Sequence, residues 1–164
     1  MGKVFKYGDD VNTDVIFPGK YTYTVTDPKE MAGHAFEDLD PEFAGRVSRG
    51  DVVVAGKNFG CGSSREQAAS CLKYAGIQAI VAESFARIYY RNSINYGLPA
   101  IVCPEAAHKL ESGDSVEIDL TGGQIKTEKG PFKFAPFPDF MMAIMRDGGL
   151  LDHIRKEIES NGKA

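Results

Sequence analysis

The stretch A-G-K-N-F-G-C-G-S-S-R-E-Q-A-A, Ala55 to Ala69, decides how this chain is read. It follows the apolar run Val52-Val53-Val54 and leads into a segment of helical spacing, so it is a glycine-rich strand-to-helix turn. Gly60 and Gly62 permit φ > 0 and a close approach of backbone to ligand. Ser63, Ser64 and Arg65 fall where the first N–H groups of the expected helix have no partner, a place that attracts anions. Two hydroxyls and a guanidinium at that spot suit a carboxylate or a phosphate. The residues alone leave a second reading open. Ser63-x-x-Glu66 and Ser64-x-x-Gln67 both satisfy the capping-box pattern, and Arg65 is then a solvated charge. The turn is not G-x-S-x-G, so a hydrolase elbow is unsupported. It also lacks the lysine of a P-loop and the third glycine of a dinucleotide fingerprint.

Outward from the turn the pattern is regular. Strand Val52–Ala55 precedes a helix over Ser64–Tyr74 that Gly76 stops. A strand at Ala79–Ala82, a helix over Phe85–Tyr96 stopped by Gly97, and a strand over Leu98–Val102 follow. Strands alternating with helices at this spacing predict a parallel sheet, with the turn at a strand's carboxyl end where such sheets bind ligands. Upstream, Lys3–Tyr7 reads as an opening strand and Gly8–Asp14 as a polar turn. Lys20–Thr26 favours extended structure by its tyrosines and threonines. Asp27 then caps a helix with Pro28 at its first position, carrying Met31 and Ala35. Gly45–Asp51 reads as a polar connection. Downstream come a short helix over Pro104–Leu110 and strands at Ser115–Leu120, Gln124–Thr127 and Phe132–Phe134. Those strands read as an antiparallel meander, a layer apart from the parallel sheet. Helices over Phe137–Arg146 and Leu150–Ile158 are broken by Gly148-Gly149, and Glu159–Ala164 is expected to fray. The sum is an α/β chain of mixed parallel and antiparallel strands. Residues 1–164 are expected to form a single domain.

Composition excludes several classes. A formal net charge of −4 argues against a nucleic-acid partner, which wants a basic stripe. No stretch is long and apolar enough to span a membrane, and the opening residues are no signal peptide, so the chain reads as cytoplasmic. Three cysteines, Cys61, Cys71 and Cys103, form no C-x-x-C pair and fit reduced thiols. His34, His108 and His153 are scattered, so no metal site is expected on this chain. Cys61 stands inside the turn, where a thiol either gains reactivity or simply fits. Asp14 abuts the apolar run Val15-Ile16-Phe17, where a carboxylate needs a partner or an Asx-turn role.

N-F-G-C-G-S-S-R-E, followed by A-E-S-F-A-R-I-Y-Y-R-N and N-Y-G-L-P, resembles the small-subunit family of isopropylmalate dehydratases, the detached swivel domain of the aconitase superfamily. D-D-V-N-T-D-V-I-F-P, Asp9 to Pro18, belongs to the same pattern, and the resemblance runs from Phe5 to about Leu151. It implies a three-layer β/β/α swivel domain and a hydro-lyase of leucine and other branched-chain amino acid biosynthesis. The reaction is the stereospecific dehydration and rehydration of a hydroxy acid: a proton leaves the carbon α to a carboxylate and hydroxide leaves its neighbour.

The resemblance also implies that this chain is half of an active site. The departing hydroxyl needs a Lewis acid. In the family that is a 4Fe–4S cluster held by cysteines of a large subunit, so no cofactor is expected on this chain and a large catalytic subunit is the expected partner. Self-association of the small subunit is a further partner reading. By resemblance Ser63 is the proton acceptor, acting as an alkoxide in an electropositive setting. Asp14 is an active-site residue, and Ser64, Arg65 and Gly62 meet the substrate carboxylates.

One departure bears on the substrate. The family carries an arginine shortly after the T-D-x-I-x-P segment, in a loop that contacts the substrate's variable group. Here the stretch is Tyr21-Thr22-Tyr23-Thr24, and Tyr23 stands where a cation is expected. That favours an apolar or small group over a third carboxylate. 3-Isopropylmalate leads, with 2-methylmalate, 2,3-dimethylmalate and homoaconitate as alternatives. A non-catalytic carboxylate-binding module and a stand-alone serine hydrolase are the readings from other classes.

Overall fold

The computed structural model describes residues 1–161. Strand β1 (Gly2–Lys6) opens the chain, followed by a single helical turn α1 (Thr13–Ile16) and a 3₁₀ turn over Gly19–Tyr21. Helices α2 (Pro28–Gly33) and α3 (Phe43–Arg46) precede β2 (Val52–Ala55), α4 (Gln67–Tyr74), β3 (Ala79–Ala82), α5 (Arg87–Asn95) and β4 (Ala100–Val102). The second half adds α6 (Pro104–Lys109), the hairpin strands β5 (Ser115–Asp119), β6 (Gln124–Thr127) and β7 (Gly130–Lys133), then α7 (Asp139–Arg146) and α8 (Leu150–Asn161).

All seven strands hydrogen-bond into one sheet, in the order β4-β3-β2-β1-β5-β6-β7. The hinge of this arrangement is β1. It pairs parallel to β2, with Val4 opposite Val52, and antiparallel to β5, with Gly2 opposite Val116. The meander is therefore a layer in packing but not a separate sheet. Val4, Val52, Val54 and Val81 on one face of the parallel part share a core with Val116, Ile125 and Phe132 of the meander. Val53, Ala55, Ile80 and Ala82 on the other face pack against Ile16, Met31, Ala69 and Leu72 of α1, α2 and α4. The two-residue period of β2 and β3 thus loads both faces, as runs without polar alternation require. Each fully buried Val or Ile contributes roughly 1.5–3 kcal/mol. The result is the expected mixed α/β architecture with β/β/α layering.

Several local expectations change. Lys20–Thr26 is not extended. Backbone bonds Tyr21 N to Pro18 O and Val25 N to Tyr21 O, both 3.0 Å, fold it into turns. Within the described residues it pairs with no strand, so β-propensity has nothing to act on. A helical turn, α3, takes in Gly45 and Arg46, the first two residues of the stretch read as a connection. Helix α2 ends at Gly33, and the buried Phe36 adopts φ +57°. Glu159 to Asn161 remain helical in α8 rather than fraying, and residues 162–164 lie outside the described residues.

Candidate active site

Parallel pairing sends the loops after β1, β2 and β3 out of the same sheet edge, and backbone bonds lace them together. Asp10 N donates to Lys57 O, Gly60 N to Val11 O and Thr13 N to Cys61 O, each at 2.8 Å. On the other side Phe59 N donates to Ser84 O at 3.0 Å and Ala86 N to Phe59 O at 2.9 Å. Asn12 pairs with Cys61 and Phe59 with Phe85 as isolated parallel bridges, so the glycine turn prolongs the ladder beyond the strands. Gly60 has φ +79°, and a Cβ there would stand 2.0 Å from Cγ of buried Tyr89. Only glycine allows the turn to run that close to α5.

Within this frame five side chains converge. Arg65 Nε donates to Ser63 Oγ at 2.8 Å, Arg65 Nη1 donates to Thr22 Oγ1 at 3.3 Å, and Arg65 Nη2 pairs with Asp14 Oδ1. Thr13, 2% exposed, places Oγ1 3.0 Å from the Ser63 carbonyl oxygen and 3.2 Å from Ser63 Oγ. Asn12 Oδ1 accepts from Val15 N at 2.9 Å and caps α1, which fixes Thr13 and Asp14 relative to the turn. Ser63 and Ser64 are exposed, and the Arg65 side chain is 23% exposed, so the cluster opens on solvent from a half-buried guanidinium.

The position of the serines differs from the expectation. Helix α4 begins at Gln67, so Ser63, Ser64 and Arg65 precede its first turn rather than forming it. The capping-box reading is overturned with it. Glu66 occupies the cap position and no side chain caps the helix; the Ser63 hydroxyl turns to Arg65 and Thr13 instead. The positive field at Ser63 is therefore chiefly the guanidinium. A donor N–H on an oxygen favours the ionised form of that oxygen.

Gly62, with φ +97°, is exposed above Thr13, where an added Cβ would meet the Thr13 hydroxyl at 3.4 Å. Ser64 is held through its carbonyl, which accepts from Asn92 Nδ2 at 3.3 Å. Tyr23 does not join the cluster: its side chain is 94% exposed, and the neighbouring Thr22 reaches Arg65 instead. Gly19 also belongs to the site, since a Cβ there would lie 2.5 Å from Arg65 Nη1 and 2.9 Å from Asp14 Oδ1. Thr13, Thr22, Gly19 and Asn92 were missed on sequence. Thr13 and Asn92 stand in the motifs quoted above, beside residues that were singled out.

The donor set for a metal is poor. Among the described residues no three His, Cys, Asp or Glu side chains converge on a metal-sized site. Cys71 and Cys103 are buried in different cores, and burial raises the pKa of both thiols. These residues do not fit an iron–sulfur cluster. No helix among the described residues is long and apolar enough to cross a membrane.

The aconitase C-terminal domain family matches residues 10–106, a span that holds every side chain of the cluster. The 3-isopropylmalate dehydratase small subunit of Caldicellulosiruptor bescii is 51% identical over 98% of this chain and 97% of its own length. The methanogen homoaconitase small subunit of Methanothermobacter thermautotrophicus is 51% identical over 97% of this chain and 92% of its own. A crystal structure of a 3-isopropylmalate dehydratase from Methanocaldococcus jannaschii superposes with a TM-score of 0.92 at 44% identity, covering 99% of this chain and 96% of that one.

Proposed function

Because the chain belongs to the aconitase C-terminal domain family, among its isopropylmalate dehydratase-type small subunits, we propose that it is the small subunit of a hydro-lyase acting on 3-isopropylmalate. It supplies the base and the anion clamp of an active site completed by a large subunit, which on this reading carries the 4Fe–4S cluster. The residues of this chain do not fit that group, and their own roles are as follows.

Ser63 Oγ takes the proton from the carbon α to a carboxylate. The observation that carries this is the 2.8 Å bond from Arg65 Nε to Ser63 Oγ, backed by the Thr13 hydroxyl at 3.2 Å. With the guanidinium N–H turned to it, the Ser63 oxygen is favoured in its ionised form. Asp14 holds one arm of Arg65 so that Nε stays on Ser63. A guanidinium has five N–H donors, so Arg65 keeps capacity for a substrate carboxylate beside the three contacts it makes here. Ser64 and the backbone at Gly62, both exposed next to that guanidinium, are the further carboxylate contacts.

A specific observation bears on the substrate. Lys20 is the single cation between Pro18 and Thr26, and its Nζ is bound to Glu37 Oε1 at 2.9 Å. The loop therefore offers no free cation for a third carboxylate, which supports an alkyl-substituted malate. The homoaconitase small subunit among the relatives keeps the tricarboxylate as the second reading. We read the chain as one domain working in the cytoplasm. The test is anaerobic reconstitution with the cluster-bearing large subunit, followed by a screen of 3-isopropylmalate, 2-methylmalate, 2,3-dimethylmalate and homoaconitate. Dehydration of 3-isopropylmalate is expected; its absence with a loaded large subunit would refute the reading.

A further inference from the structure

The loop that brings Thr22 to Arg65 is short and polar at its tip, and behind it lies a cluster of side chains gathered on one carboxylate, with Val25 buried in the core at its end. Tyr21 stacks on His34 with ring centroids 3.8 Å apart and an interplanar angle of 22°. The Tyr21 hydroxyl donates to Glu37 Oε1 at 3.0 Å, the Lys20 ammonium donates to the same oxygen at 2.9 Å, and His34 Nδ1 lies 2.5 Å from Glu37 Oε2. One carboxylate thus gathers three side chains, two from the loop and one from the turn after α2. In front, Gly19 abuts the Arg65–Asp14 pair and Thr22 meets the guanidinium. Tyr23 and Thr24, between these anchors and solvent, are exposed.

We propose that Glu37 is a positioning residue that clasps the Gly19–Thr24 loop over the candidate active site and so governs how the substrate's variable group is met. Glu37 touches none of Ser63, Arg65 or Asp14; it acts through Tyr21 and Lys20. A loop of this length without its clasp gains conformational freedom, and ordering it again on substrate binding weakens affinity more than it slows proton transfer. The proposal rests on the hydro-lyase reading for its kinetic consequence, but the clasp itself does not depend on that reading.

The experiment compares the wild-type chain with Glu37→Gln, which keeps the side chain's shape and loses its charge. In the isolated full-length chain, brief chymotrypsin treatment followed by mass analysis reads cleavage after the exposed Tyr23, with Tyr74 on α4 as the internal control. Cleavage after Tyr23 is expected to rise at least tenfold with cleavage after Tyr74 unchanged. In the reconstituted complex KM is expected to rise severalfold with kcat held within twofold. Unchanged cleavage after Tyr23 would overturn the proposal, as would an equal rise at both tyrosines, which signals loss of the whole fold. A fall in kcat with KM unchanged also overturns it. A wild-type complex inactive on every hydroxy acid refutes the function instead, and the cleavage ratio then decides the clasp alone.

Discussion

Asp14 and Arg65 stand 51 residues apart in sequence and form an ion pair that joins helical turn α1 to the glycine turn after β2. The same guanidinium reaches Ser63 with Nε and Thr22 with Nη1, so a single planar fork sets the relative position of three segments. Such a fork cannot be replaced by a point charge. Arg65→Lys in the reconstituted complex is expected to raise KM markedly and to lower kcat about tenfold or more, since one ammonium cannot keep Ser63, Asp14 and Thr22 together. Asp14→Asn should lower kcat/KM, and the double variant should depart from additivity by more than about 0.5 kcal/mol, as residues in one network do. Strictly additive effects would show that the pair does not act as a unit.

Ser63→Ala removes the proposed proton acceptor but leaves the backbone lacing of the turn intact. Turnover in the complex should fall by about a hundredfold or more, the range of a lost general base. Assembly with the large subunit, followed by size-exclusion chromatography, should be unaffected. Near-normal turnover would reduce Ser63 to a structural hydroxyl.

Tyr23 is almost wholly exposed, so its replacement should leave the melting temperature of the chain within a degree or so. On the proposed function its effect belongs to discrimination. An apolar pocket separates alkyl groups differing by one methylene by only ~1–3 kcal/mol, so several alkylmalates should be turned over. Homoaconitate should be rejected, because a buried carboxylate without a cation is strongly disfavoured. Tyr23→Arg is expected to shift kcat/KM towards the tricarboxylate, measured as the ratio of the two substrates in wild type and variant. Efficient wild-type turnover of homoaconitate would contradict this account of the loop.

Gly60→Ala tests the packing of the turn. The new methyl must adopt φ +79° and overlap the ring of Tyr89. Left-handed backbone costs about 1–2 kcal/mol for a residue with a Cβ, and overpacking adds roughly 1–3 kcal/mol. A loss of about 2–5 kcal/mol in denaturant unfolding follows on those figures. Wild-type stability would mean that Tyr89 moves freely.

The clasp also has a pH signature. Hydrogen bonds from Lys20, His34 and Tyr21 depress the Glu37 pKa from 4.5 to about 2. A carboxylate with a lowered folded pKa contributes stability that is fully present above its unfolded value and is lost as pH falls through the folded one. The Glu37 contribution should therefore be intact at neutral pH and disappear between about pH 4.5 and 2. Melting temperatures of wild type and Glu37→Gln should converge across that window; a constant difference down to pH 2 would contradict it.

Much of the site was legible because it is local. Ser63, Ser64 and Arg65 sit in one short motif, and Asp14 in another. The strands Val52–Ala55 and Ala79–Ala82 appear where the apolar runs predict them, since runs of that length without polar alternation suit a strand buried on both faces. The helix start was less legible. Ser63 has the right spacing for a cap, yet its hydroxyl finds better partners in Arg65 and Thr13, the latter 50 residues away. The Lys20–Thr26 segment misled for the same reason: Tyr21 reads as a strand former until His34 and Glu37 are folded against it.

By itself the sequence determined the order of the strands and of the longer helices, the glycine positions that let the turn form, and the residue types gathered at its tip. These depend on backbone freedom and side-chain period, which act over a few residues. Only the tertiary structure decided that β1 joins the parallel and antiparallel strands into one sheet, that Asp14 and Thr22 meet the same guanidinium, and that Glu37 holds the loop. Those contacts join segments far apart along the chain. Their partners are selected by which faces must be buried together, and no local pattern of residues specifies that choice.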